Sequence, residues 1–163
     1  MMRLAVLVAA PLALAGCGLQ PMYAGGSSGI VASQLASVEV PAIQGQAGWL
    51  VRNALVDRLG AGGQAAARYR LDVALDDKLQ GLGVLSDDTV GRERRTLRAR
   101  YQLVDLSNGA ILLDETAGSD AGIDVVSSEY ATIAAEQTAL ENLSKEVASQ
   151  ITSRLALALR EQR

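Results

Sequence analysis

From Tyr69 the chain alternates between apolar and polar residues. Tyr69, Leu71, Val73 and Leu75 fall on one parity, and Arg70, Asp72, Ala74 and Asp76 on the other. A period of two describes a strand with one face on a core and the other in water. The alternation lapses in GLGVLSDDTVG, residues 81–91, which is rich in turn formers. It resumes from about Arg94 to Val104. There Arg95, Leu97, Ala99, Tyr101 and Leu103 share one face, and Arg94, Thr96, Arg98, Arg100 and Gln102 share the other. Ser107-Asn108-Gly109 predicts a hairpin turn into a third strand, Ala110 to Thr116. These three strands make an antiparallel meander.

Helical periods flank the meander. Val51, Leu55 and Leu59 recur at every fourth position, with Arg52, Asn53, Asp57 and Arg58 between them. This predicts a helix from Trp49 to Leu59, opened by Gly48 and closed by Gly60. Before it, Ser37 to Val40 alternates and stops at Pro41, which predicts a short first strand. After the meander comes a loop containing Gly and Asp. Ser127 or Ser128 then caps a long helix, with Glu129 at its positive end. Leu140, Leu143, Val147, Ile151, Leu155 and Leu159 mark the buried face of that helix. The expected architecture is α+β: two helices packed on one face of a four-stranded, mostly antiparallel sheet. A single domain covers 37–163.

The first residues follow other rules. Arg3 precedes an apolar block, Leu4 to Leu14, which is shorter than the roughly 20 residues needed to span a bilayer. A charged start, a short apolar run and small residues at its end are the pattern of a signal peptide, here residues 1–16. The block ends Leu14-Ala15-Gly16-Cys17, which resembles the bacterial lipobox, where cleavage precedes the cysteine and the new N-terminal residue is acylated. Cys17 is the only cysteine, so it has no disulfide partner within one chain. Several acyl chains on one residue hold a protein durably at a membrane, whereas a single chain does so only marginally. Gly18 stands where an Asp commonly retains lipoproteins at the inner membrane, so the outer membrane is the expected location. Residues 17–36, with their AGGSSG stretch, are expected to form the acylated anchor and a flexible tether.

Composition removes several classes of function. The chain has no histidine and one thiol, so it lacks a nucleophile with its base and the usual metal ligands. An enzyme is not expected, nor any cofactor beyond the covalent lipid on Cys17. Aromatic residues make up 3% with no Phe, too few for a stacking reader of sugars or single strands. A net charge of −3 argues against nucleic-acid binding.

Three local features bear on chemistry. Gly81-Leu82-Gly83 lacks the third glycine and the following helix of a dinucleotide-binding turn. Asp87-Asp88 reads as a polar hairpin loop in preference to a cation site. The run GRERRTLRAR concentrates five of the thirteen arginines between residues 92 and 100 of an acidic protein. Guanidinium forks match phosphate oxygens, so Arg92, Arg94, Arg98 and Arg100 are candidate ligands for a phosphorylated molecule. The competing reading is a water-exposed face neutralised across strands by carboxylates such as Asp72 and Asp76.

Taken in order, the lipobox, GCGLQPMY, the strand–helix–meander and a final helix beginning SSEYATIAAEQTALENLSKEVASQITSRL resemble the lipopolysaccharide-assembly lipoprotein family LptE, in its alphaproteobacterial form. The resemblance implies a non-enzymatic outer-membrane lipoprotein on the periplasmic side. Such a protein plugs and helps assemble the β-barrel LptD and binds lipopolysaccharide during delivery to the cell surface. It also implies lipid contacts near the loop before the third strand, where Arg92 and Arg94 lie. A second contact region, at the start of the last helix, has no basic residue between Asp124 and Glu129. The alternative is another outer-membrane lipoprotein, a pilotin or envelope scaffold, with the same anchor and shape.

Overall fold

The computed structural model describes residues 30–60, 66–84 and 90–161, so Cys17 and the Asp87-Asp88 loop lie outside the described residues. The described chain runs α1 (Ile30–Ala36), β1 (Val38–Glu39), α2 (Gly45–Leu59), β2 (Tyr69–Val84), β3 (Val90–Asp105), β4 (Ile111–Asp124) and α3 (Glu129–Glu161). The strands form one sheet in sequence order. β1 pairs parallel to β2, and β2–β3–β4 is the expected antiparallel meander. The fold class is α+β, with the helices on one face of a mostly antiparallel sheet.

The core forms where the two periodicities meet. Leu71, Leu97, Ala99, Tyr101 and Leu103 line the inner sheet face, and Val51, Leu55, Leu140, Leu143, Val147, Ile151, Leu155 and Leu159 close over it. Two hydroxyls sit in this layer without cost. Ser144 and Thr152 donate to the carbonyls of Leu140 and Ala148, each one helical turn back, at 2.8 Å. α2 ends at Gly60, whose positive φ of 67° sends its N–H back to the Val56 carbonyl. At its other end Gly48 is buried against the backbone of Ile43, which leaves no space for a side chain.

Three features depart from the sequence reading. Residues 30–36, expected within the tether, form α1. Leu35 is buried among the core residues, so the packed domain extends N-terminal to residue 37. Val31 and Leu35 recur at i, i+4, but a run of two turns directly after a Gly- and Ser-rich stretch is too short to distinguish this segment from a linker.

Second, β2 and β3 run much further than the alternation does. Gly81-Leu82-Gly83 is strand, paired with Glu93 and Arg92, and the hairpin narrows to Val84 opposite Val90. Third, β4 continues past Thr116 through AGSDAGID to Asp124. Ladder pairing to β3 holds this low-propensity stretch extended, in the way tertiary context commonly overrides strand propensity. At Gly118 a Cβ would be tight, 3.1 Å from Arg98 Cγ and 3.2 Å from the Leu97 carbonyl oxygen.

The β3–β4 turn is as expected. Gly109 takes φ 75° and donates to the Asp105 carbonyl at 2.8 Å. The Asp105 carboxylate accepts the Ser107 hydroxyl and N–H at 2.6 and 2.8 Å. These bonds hold its pKa below the usual carboxylate value.

Candidate functional site

Among the described residues no helix covers the outer sheet face, and alternation places Arg92, Arg94, Arg98 and Arg100 on it. Reading across the ladder, Asp76, Arg98 and Gly118 form one row, and Ala74, Arg100 and Thr116 the next. Arg100 forks onto Asp114 at 3.0 and 3.2 Å, and Gln102 adds a third bond to that carboxylate. The pairing raises the Arg100 pKa and lowers that of Asp114, with the hydrogen bonds between them as the main cause. Arg92 meets Asp124 at 2.9 Å. Arg94 reaches Asp120 only at 3.9 Å.

Arg98 differs from the other three: among the described residues it makes no ion pair within 4.0 Å. Its stem lies over Gly118 on the exposed face. The carboxylates first expected to neutralise the run are used elsewhere. Asp72 binds Arg70, and Asp76 binds Lys78. The partners of the run come from β4 instead, a strand half hidden in a sequence that reads as loop.

The four candidate arginines therefore share one face but differ in how they are held. Arg92 and Arg100 are committed to aspartates, whereas Arg94 and Arg98 are available to an anion. Exposed ion pairs of this kind contribute little to stability, roughly 0–1 kcal/mol each, so exchanging a carboxylate for another oxyanion costs little.

The inner face at the same end holds charges that sequence reasoning did not identify as a group. Arg95 is 15% exposed in its side chain, forks onto Asp77 at 2.7 and 3.0 Å and donates to the Glu136 carbonyl on α3. Glu93 stands beside Glu136, and its buried Oε2 has no hydrogen-bond partner. Burial first, and the neighbouring carboxylate second, push the Glu93 pKa up. The only signal for this cluster was parity: Glu93 and Arg95 fall on the core side of β3.

The sign of the Glu93 contribution follows. The folded state holds this proton more tightly than the unfolded chain, so the contribution to stability is full at low pH. It is lost as pH rises through the carboxylate range. Glu93→Gln is expected to melt at a higher temperature than wild type near neutral pH. That gain should shrink towards about pH 4, where the wild-type carboxyl is also protonated. Circular dichroism melts across this range measure it.

An arginine row on the outer face of a mostly antiparallel α+β sheet, partly neutralised by β4 aspartates, is the arrangement to compare with known proteins. The lipopolysaccharide-assembly family model, LptE, matches residues 35–155, and the chain belongs to that family. No curated protein matches it.

Solved structures share the fold. A protein of Caulobacter crescentus CB15 assigned to the lipoproteins is 29% identical, with 82% of this chain and 97% of that chain covered and a TM-score of 0.69. A minor lipoprotein from Acinetobacter baumannii superposes with a TM-score of 0.57 at 19% identity, covering 74% of this chain and 88% of that one. Uncharacterized lipoprotein B from Nitrosomonas europaea gives 0.56 at 14%, covering 73% and 79%.

Proposed function

We propose that this chain is an outer-membrane lipoprotein, acylated on Cys17, that plugs and helps assemble the β-barrel LptD and binds lipopolysaccharide through the outer face of β3. Membership of the lipopolysaccharide-assembly family over residues 35–155 carries the reading. The geometry supports it at one point: on the outer sheet face Arg98 makes no ion pair among the described residues, and Arg94 reaches Asp120 only at 3.9 Å. A lipid A phosphate would accept bidentate, charge-assisted bonds from them, each worth roughly 1.5–3 kcal/mol when desolvated. No residue has a catalytic role in this reading.

The test is lipopolysaccharide binding by the protein freed of its anchor, with wild type compared against Arg94→Ala/Arg98→Ala. The double variant is expected to bind at least tenfold more weakly, with its circular dichroism spectrum and its association with the barrel unchanged. Arg100→Ala, which removes an arginine already held by Asp114, is expected to have a smaller effect. Unchanged binding by the double variant at physiological salt overturns the assignment of these arginines. Mass spectrometry of the mature native protein tests the anchor. Acyl chains on an N-terminal Cys17 are expected, and an unmodified thiol there overturns it.

A further inference from the structure

β4 is an edge strand: among the described residues it pairs with β3 alone. Alternate residues of a strand send their N–H and C=O to the same side. Gly118 directs both groups away from β3, and the side chain of Gln150 on α3 receives them. The Gly118 N–H donates to Gln150 Oε1 at 3.3 Å, and Gln150 Nε2 donates to the Gly118 carbonyl at 3.4 Å. This one amide satisfies the edge as a residue of a neighbouring strand would.

Proximal to Gln150, Arg154 meets Glu115 at 3.5 Å and closes the gap between helix and strand. Distal to it, by the same alternation, Asp120, Gly122 and Asp124 turn their backbone groups outward. Among the described residues no side chain of α3 bonds to them. They open instead onto a groove of about 810 Å³ between β4 and α3.

What fits the groove follows from its walls. A row of backbone donors and acceptors calls for an extended polypeptide, and neither an acyl chain nor a helix can pair with it. The helix wall is shallow, built from Ala134, Ala135 and Ala139, and takes small side chains. Among the described residues the lining holds three carboxylates, Asp120, Asp124 and Glu146, and no Lys or Arg. Arg92 and Arg94 approach two of these from the neighbouring strand.

We propose that Asp120–Asp124 accepts an added β-strand from a protein partner. Its segment is extended, with small apolar residues towards α3 and Lys or Arg beside Asp120 and Asp124. This is independent of lipopolysaccharide binding, although Lys or Arg of the partner would share Asp124 and Asp120 with Arg92 and Arg94.

The experiment uses the lipidated full-length protein in detergent micelles. The probe is a capped heptapeptide of sequence KVKAKVK, compared with the same peptide N-methylated at alternate residues. N-methylation keeps the charge and removes the pairing N–H groups. The unmodified peptide is expected to bind at least tenfold more tightly, and Gly122→Pro is expected to abolish this preference. Proline is tolerated where an edge N–H faces outward, and a Cβ at Gly122 meets nothing within 4 Å. Equal binding of the two peptides to wild type overturns the proposal, and needs no variant to fold. A concentration-dependent dimer in sedimentation that Gly122→Pro dissolves makes the occupant a second copy, which also overturns it.

Discussion

Leu103→Ala is expected to lower the free energy of unfolding by roughly 2–5 kcal/mol. Leu103 is fully buried on the inner sheet face, in the same core cluster as Leu71 and the buried stripe of α3. Truncation leaves a cavity in a layer that contains no Phe to shift into it, since this core is built almost wholly from Leu, Val, Ile and Ala. Leu79 lies on the same inner parity of the hairpin but is 43% exposed, and Leu79→Ala should cost far less. Urea melts followed by circular dichroism measure both. Equal costs would mean that helix coverage does not decide burial along the hairpin.

Gly48→Ala should destabilise by roughly 1–3 kcal/mol, although alanine is the better helix former. A Cβ at Gly48 would stand 2.5 Å from the Ile43 carbonyl oxygen and 2.7 Å from its carbon. Backbone cannot rotate aside as a side chain can. The chain entering α2 would have to shift, and with it the approach from β1. Gly122→Ala is the matched comparison, because open space surrounds that position. The same melts are expected to show a clear loss for the first variant and almost none for the second.

What could be read from the chain depended on where burial imposed a period. Tyr69 to Leu75 and Arg95 to Leu103 alternate because one face meets the helices, and the buried stripe of α3 repeats for the same reason. The distal hairpin and the second half of β4 lack that regularity, although Ala117 and Ile123 are buried. There the inner positions hold Asp77, Gly81, Glu93, Ser119 and Ala121, so no alternation of hydrophobicity marks them. Sheet pairing, a long-range interaction, holds those residues extended.

The arginine run was visible, as was its side of the strand. Its division into committed and available members was not, because Asp114, Asp120 and Asp124 reach it only through the unrecognised part of β4. Gln150 gave no signal at all. An amide on a helix reads as ordinary surface until the edge strand beneath it is in place.

The lengths of the last helix and of the long hairpin bear on the proposed place inside a barrel. α3 has 33 residues, and at the usual rise its length is about 50 Å. β2 and β3, with 16 residues each, reach about 50 Å as well. A bilayer is roughly 40–45 Å thick with its headgroups. Helix and hairpin are each continuous struts about as long as the membrane is thick, and neither can shorten without breaking its own hydrogen bonds. In the proposed plug role, struts of this length would match the full thickness of the bilayer that the barrel crosses.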